Sequence, residues 1–254
     1  MGIDNYYLGA FSMILQYPAT LTNKAMLSTN TIQLGFTFES SDLPAFAFTS
    51  GQFIQFIFEK EGEIFKRSYS IANSPDDFQQ SGELEVALSF VEGGVASEFF
   101  KATSEGLQLL IAGPFGALTL PKDIPGQLVL AGTGTGLAPY RSMIPELKKY
   151  IADGVPTTIL MGFRQRNEAI YIEDFNTLSD VNCRICLTRE NTTEAIEYQG
   201  RLQFQFDDLN LNPEIDIVYL CGNPNMIDDC VALLRDQGFP PRQIKREKYN
   251  FSGH

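Results

Sequence analysis

The sequence predicts two domains of different class, a small antiparallel β-barrel followed by a parallel-sheet α/β domain. Residues from about 17 to 120 read as short strands separated by Gly, Pro, Ser and Asp clusters. Beyond residue 126, continuous apolar strands alternate with helical stretches. The change of grammar falls at Pro121-Lys122-Asp123-Ile124-Pro125-Gly126, which divides the chain into 1–122 (with 1–16 as an N-terminal extension) and 123–254. At 254 residues, 44% of them hydrophobic, the chain is long enough for each part to bury a core.

In the first part, residues 83–90 alternate strictly, with Leu84, Val86, Leu88 and Phe90 on one face. Residues 31–38, 53–58 and 107–111 are also strand-like, and this spacing of short strands is that of a barrel. Residues 96–102 break the pattern as a single short helix. The first eleven residues, with Tyr6, Tyr7, Leu8 and Phe11, show no clear period and are expected to pack on the body or fray. In the second part, strands are predicted over 128–131, 158–161 and 215–220, and helices over 139–151 and 226–236. Ile227, Val231 and Leu234 fall at i, i+4 and i+7 of the last helix, and Gly238 stands where a cap belongs.

Composition excludes several chemistries. The single histidine, His254, ends the sequence, which removes histidine-ligated zinc or haem, a buried histidine relay and most Ser-His-Asp chemistry. Net charge is −12, so a nucleic-acid backbone is repelled. Four cysteines do not make a disulfide framework, and a reducing, cytoplasmic location is expected. Cys183 and Cys186 form a C-x-x-C on a segment (182–188) that reads as a strand, where residues three apart face opposite sides, so no metal is expected there. The C-x4-C-x2-C spacing of a plant-type iron–sulfur module is missing. No signal peptide or membrane span is expected, for want of a basic n-region or an eighteen-residue apolar run.

The strand 128–131 runs straight into Gly132-Thr133-Gly134-Thr135-Gly136-Leu137-Ala138-Pro139. Glycines there let backbone approach a pyrophosphate, a helix N-terminus supplies free N–H groups, and Pro139 suits a first helical turn. A tight strand–helix turn without a ligand stays open, since glycine motifs are weak alone. The next strand ends in Gly162-Phe163-Arg164-Gln165-Arg166, with Arg189 and Arg201 further on. Arginine where a carboxylate would hold ribose hydroxyls favours a 2′-phosphate, hence NADP over NAD, unless these are solvated surface arginines.

Five segments in order bring a family into view. Arg67-Ser68-Tyr69-Ser70 resembles the R-x-Y-[ST] motif of ferredoxin–NADP(+) reductases and their flavoprotein relatives. Gly94-Val95-Ala96-Ser97 resembles their second flavin motif, Gly113-Pro114-Phe115-Gly116 the loop closing their barrel, 132–139 their nucleotide motif, and Cys221-Gly222-Asn223-Pro224-Asn225-Met226 their C-G-x-P-x-M. The resemblance implies a six-stranded barrel that binds FAD and an α/β domain that binds NADP(H). It implies that Arg67 pairs with the FAD pyrophosphate, Tyr69 stacks on the isoalloxazine and Ser70 hydrogen-bonds near its N5. Val95, Ala96 and Ser97 would meet the pyrophosphate through their backbone, and Cys221 would sit beside the nicotinamide. Glu247 and Tyr249 resemble the E-x-[YF] whose aromatic covers the flavin, and Phe251 in the tail beyond would stack on the adenine. Ordinary alternatives stand beside these: a small buried cysteine at 221, a surface carboxylate at 247.

The reaction so implied is hydride transfer between NADPH and flavin, with single electrons exchanged with ferredoxin or flavodoxin. Charge fits this acceptor poorly. Residues 1–122 carry 6 basic against 13 acidic side chains and the remainder 13 against 18, while such carriers are themselves acidic. A local patch at Lys66 and Lys248 would be needed. Free-flavin reductase, reductase partner of an oxygenase, and electron-relay subunit of a larger complex are the rival expectations; the intact nucleotide motifs count against the last.

Overall fold

A computed structural model describes residues 14–39 and 43–249. The first sheet is antiparallel. Its strands are β1 (Gln16–Ser28), β2 (Thr31–Phe38), β3 (Phe53–Lys60), β4 (Glu63–Ser70), β5 (Glu83–Ser89) and β6 (Gln108–Phe115), in the order β4-β3-β6-β1-β2-β5. The outer strands meet through an Ile71–Val86 bridge and the Ala72 N–H donating to the Glu85 carbonyl at 2.8 Å, which closes the six strands into the expected barrel. Phe36, Phe56 and Phe100 fill its interior with Leu34, Ile54 and Val86.

Two of these strands carry no clean sequence signal. β1 buries Tyr17, Ala19 and Leu21 and then runs through Thr, Asn and Lys with two register shifts. β4 buries only Ser70, because its inner face lines an open cleft. The helix expected over 96–102 is α2 (Val95–Ala102), but it is not the barrel's single helix. Before β5 stands α1 (Pro75–Ser81), which buries no residue and owes its existence to its ends: Ser74 and Asp77 form a capping box, Pro75 opens the first turn, and Gly82 closes it at φ +72°. A period-based reading has nothing to detect there.

The second sheet is wholly parallel: β7 (Leu128–Thr133), β8 (Thr157–Phe163), β9 (Val181–Leu187), β10 (Glu197–Gln199), β11 (Ile217–Gly222) and β12 (Ile244–Lys248), in the order β10-β9-β8-β7-β11-β12. Every residue of β8 and β11 is buried, as covering on both faces requires. Cys183 packs against one apolar layer and Cys186 lies within the other, so the C-x-x-C faces opposite sides of β9. The chain runs outward from β7 to β10, then returns to place β11 on the other flank of β7. Ligands of open α/β sheets bind beyond the strand C-termini at such a switch point.

The helix expected over 139–151 is two helices. A 3-10 turn (Gly134–Leu137) leads into α3 (Ala138–Ser142), and α4 (Ile144–Ala152) follows a break at Met143. Pro145, in the first turn of α4, has no N–H to continue α3 and would crowd the preceding turn. A four-residue helix, α5 (Ile172–Phe175), and the longer α6 (Pro224–Asp236) complete the layers. Gly238, at φ +91°, donates its N–H to Arg235 and ends α6 as expected.

The sheets share an interface. Ala72, Ala87 and Leu118 are buried with Leu128 and Tyr140 in one cluster. The Gly51 N–H donates to Ser142 Oγ at 2.9 Å, Ser50 Oγ to Glu146 at 2.9 Å, and the Tyr219 hydroxyl to the Thr119 carbonyl at 2.8 Å. No helix among the described residues is long and apolar enough to cross a membrane.

Candidate functional site

Two clefts open along this interface and share a wall at Tyr249. The larger, about 530 Å³, is cut into the barrel beside β4 and α2. Alternation along β4 turns Arg67 and Tyr69 to the same side, and both line it. Behind Tyr69 stands Phe56, ring centroids 5.3 Å apart, so the phenol presents a supported face. Burial pushes its pKa above the ordinary tyrosine value, with Arg67 pulling weakly the other way. The Arg67 guanidinium donates to the Lys66 carbonyl at 2.9 Å and lies 5.7 Å over the Phe65 ring; it has no carboxylate partner among the described residues.

Opposite stands the N-terminus of α2. Gly94 is its cap and supplies no side chain, and the first intrahelical bond is Glu98 N–H to the Gly94 carbonyl at 3.0 Å. The N–H groups of Val95, Ala96 and Ser97 therefore precede the ladder, on the cleft wall. Ser97 spends its hydroxyl internally, accepting from Val91 N–H at 2.8 Å and anchoring the loop. An unpaired planar cation facing an uncapped helix end suits a diphosphate, and a supported aromatic face suits a flat heteroaromatic ring.

The second cleft, about 440 Å³, lies beyond the C-termini of β7, β8 and β11. Thr133, Gly134 and Thr135 line it, and at Gly134 (φ +53°) a side chain would project into open space. The other glycines of the turn serve packing. A Cβ on Gly136 would lie 2.3 Å from the Cys221 carbonyl, and one on Gly132 would press on Leu137 and Gly136. Gly132, Gly136 and Pro139 are thus not brought to the cleft wall; Gly136 holds the turn against β11, and Gly132 lies under the turn and Tyr140. Gly222 (φ +116°) and Met226 line the cleft with Asn223 and Asn225, whereas Pro224 does not. Asn223 caps α6, accepting from Asn225 and Met226 N–H.

Arg164, Arg189 and Arg201 all reach this cleft. Arg164 and Arg189 are neighbours, the Arg189 N–H donating to the Arg164 carbonyl at 2.8 Å, and neither side chain has a carboxylate partner among the described residues. Arg201 instead faces Asp229 at 3.3 Å. Arg166, next in sequence to these, is held outside the cleft by Glu190 and Glu197.

The shared wall is a hydrogen-bonded chain. The Tyr249 hydroxyl lies 2.7 Å from Ser70 Oγ and 3.2 Å from the Thr135 carbonyl, and Ser70 Oγ donates to Glu247 Oε1 at 3.2 Å. Burial raises the Glu247 carboxyl above its ordinary value, with the Ser70 bond working against it. Cys221 is fully buried, paired with Glu247 on the neighbouring strand, and its thiol is pushed up by that burial; it lines neither cleft. Ser89 and Val91 line both clefts although no sequence motif marks them. Their signal was position, at the end of the alternating strand just before Gly93-Gly94. Phe251 lies outside the described residues.

A barrel whose cleft suits a flat ring and a diphosphate, joined at a shared wall to a second cleft at the switch point of a parallel sheet, has the architecture of a two-domain flavin–nicotinamide oxidoreductase. The oxidoreductase FAD-binding domain model matches residues 18–120 and the oxidoreductase NAD-binding domain model residues 130–232. The chain is 30% identical over 218 residues to a ferredoxin–NADP reductase of Azotobacter vinelandii, covering 78% of this chain and 83% of that one. It is 29% identical to ferredoxin–NADP reductase B of Sorangium cellulosum over 84% of this chain and 90% of the relative. A toluate 1,2-dioxygenase electron transfer component of Pseudomonas putida matches at 27%, over 92% and 67%. The solved structure of a ferredoxin NADP+ reductase from Neisseria gonorrhoeae superposes with a TM-score of 0.77 at 22% identity, over 92% of this chain and 98% of that one. The chain belongs to the ferredoxin–NADP reductase family of flavoproteins, and is an oxidoreductase with FAD- and NAD(P)-binding domains.

Proposed function

We propose that this protein passes a hydride between NADPH and FAD and exchanges single electrons with a ferredoxin- or flavodoxin-type carrier, residues 1–122 holding FAD and 123–254 the nucleotide. The observation that carries the reading is the Ser70–Tyr249–Thr135 chain, which joins the two clefts at one aromatic wall. Flavin, when bound, takes two electrons as a hydride and gives them up singly. The protein's own contribution is placement. Arg67 and the N-terminus of α2 hold the diphosphate, Tyr69 supports the ring, and Ser70 and Glu247 set the polar edge near the reacting atom. Gly134 leaves room for the nucleotide diphosphate, Arg189 and Arg164 grip the 2′-phosphate, and Cys221 backs Tyr249 where the rings meet. A visible flavin spectrum, FAD rather than FMN on heat release, and anaerobic reduction by NADPH ahead of NADH are expected. A colourless protein after reconstitution with FAD refutes the reading.

A second reading, reductase component of an oxygenase, is supported by the similarity to the toluate dioxygenase component. It changes the acceptor and leaves both clefts as described. Turnover compared with ferredoxin, flavodoxin and free flavin separates these readings.

A further inference from the structure

We propose that Arg141 is a positioning residue for hydride transfer: it pins the helix that follows the nucleotide turn to the barrel strands of the flavin cleft, and so sets how the two rings approach at Tyr249. This rests on the reading of the two clefts given above. Arg141 lies in α3, directly after the turn that carries Gly134 and Thr135. Its Nη1 donates to two barrel groups, the Ala72 carbonyl at 3.1 Å and Glu85 Oε2 at 2.6 Å. Its Nε donates to Asp174 Oδ1 of α5, in its own domain, at 2.7 Å. One planar fork thus bridges the interface in fixed geometry, as a flexible ammonium would not.

The barrel side of this bridge is the pair that closes the barrel. Ala72 and Glu85 flank the Ile71–Val86 bridge and bond to each other through the backbone. Ser70 and Ala87, each two residues away, line the flavin cleft. On the other side, Tyr171 packs its ring 4.9 Å beneath the guanidinium. Tyr171 is held at φ +62°, a conformation rare for a bulky residue, and its buried hydroxyl has no hydrogen-bond partner among the described residues. Such a backbone persists where the surroundings over-determine it, here under a cation tied at three points.

Other bonds already join the two parts. Gly51 to Ser142, Ser50 to Glu146, and the apolar contacts of Ala72, Ala87 and Leu118 remain without Arg141. Its loss therefore leaves the domains attached but free to rock about the Gly51–Ser142 contact. Neither cleft loses a lining residue, so binding of each cofactor survives while the relation between them loosens.

The test uses FAD-loaded full chain with Arg141→Met, Arg141→Lys, Glu85→Gln and Asp174→Asn. For Arg141→Met and Glu85→Gln, a misplacement of the rings lowers the hydride-transfer rate on the order of 10- to 100-fold, with dissociation constants for FAD and NADP+ within about twofold of the parent. The long-wavelength absorbance of stacked nicotinamide and flavin falls in step, and amide exchange rises around residues 71–73 and 85–87. Arg141→Lys recovers part of the rate. Asp174→Asn, which leaves both bonds to the barrel, keeps the rate and the absorbance. Should Arg141→Met fail to fold, Glu85→Gln decides alone. Unchanged rate and absorbance in Glu85→Gln, or equal losses in Asp174→Asn and Glu85→Gln, overturn the proposal and make Arg141 a packing residue. A parent protein that binds no FAD or no NADP+ overturns instead the reading of the clefts.

Discussion

The two clefts share Tyr249 but are made of different materials. Besides Arg67 and the uncapped end of α2, the barrel cleft has side chains backed by the barrel's aromatic core: Tyr69 rests on Phe56, and Ser70 is buried in its hydrogen-bond chain. The α/β cleft is built of backbone turns at Gly134 and Gly222 and of exposed arginines at strand ends. A supported apolar face gains strength from burial, a contribution that salt does not screen. Backbone N–H groups and solvent-facing cations form contacts that exchange readily. On the reading proposed above, the buried aromatic support of the barrel cleft suits a resident group, and the exposed arginines of the α/β cleft suit a ligand that comes and goes.

The largest expected effect breaks this comparison on the barrel side. Tyr69→Ala removes the supported face, about 2–3 kcal/mol of buried contact, and should raise the FAD dissociation constant on the order of 30- to 150-fold. Equilibrium titration of apo-protein with FAD measures it; an unchanged constant would remove Tyr69 from the ring site. On the other side, Arg189→Ala should cost about 1.5–2 kcal/mol, or roughly 10- to 30-fold, in kcat/KM for NADPH and leave NADH nearly unaffected. Arg201→Ala should cost less than about 1 kcal/mol, because its guanidinium already faces Asp229 and is well exposed. If the two substitutions prove equal, Asp229 yields Arg201 to the nucleotide at no cost.

These residues also show how much of the fold and of the site is legible in the sequence. The second domain was readable because its central strands, β7, β8 and β11, are buried on both faces and run largely apolar. Motif order gave the cleft residues of β4, α2 and the C-terminal strand. β4 itself was not readable as a strand, since the face that points inward elsewhere in the barrel points here into a cleft. α1 was invisible to periodicity because its caps, not its burial, make it. Motif membership also misjudged depth. Gly136, Pro139 and Cys221 belong to nucleotide motifs, yet all three are buried and line neither cleft, Gly136 packing close on Cys221 of β11. Spacing names such positions without saying which side of the wall they occupy. Arg141 offered no spacing signal, because both its barrel partners are remote in sequence.

A pH series sharpens the comparison, because carboxylates beside the two clefts shift in opposite directions. Glu197, behind the arginine cleft, accepts from Arg166 and from the Thr193 and Glu194 N–H groups, which hold its pKa down at about 2. A depressed folded value means stability present above the ordinary 4.5 and lost as pH falls toward about 2. Glu247 is raised by burial, so its contribution is complete below 4.5 and lost as pH climbs through the folded value. Denaturant unfolding from about pH 3 to 7 should therefore show a shallower acid slope in Glu197→Gln and the opposite change of slope in Glu247→Gln. Slopes that change in the same sense for both would contradict the assignment.

The smallest expected effect concerns the carrier. Global charge repels an acidic partner, so docking must rest on a few cations at the flavin rim. Lys66 and Lys248 both line the barrel cleft, but they are not equivalent. Lys248 Nζ lies 2.5 Å from Asp228, whereas Lys66 is exposed and has no carboxylate partner among the described residues. A free rim charge steers an approaching partner, while a paired one is already neutralised at the distances that matter for encounter. Lys66→Glu should then slow carrier reduction about three- to fivefold at low salt, with Lys248→Glu weaker, and both differences should shrink once the Debye length falls to about 8 Å. Reduction of a small uncharged acceptor serves as control and should not change. Carrier rates that ignore both salt and Lys66, beside fast turnover with free flavin, would move the acceptor from a docked protein to a diffusing flavin. The two clefts would then need no third partner at all.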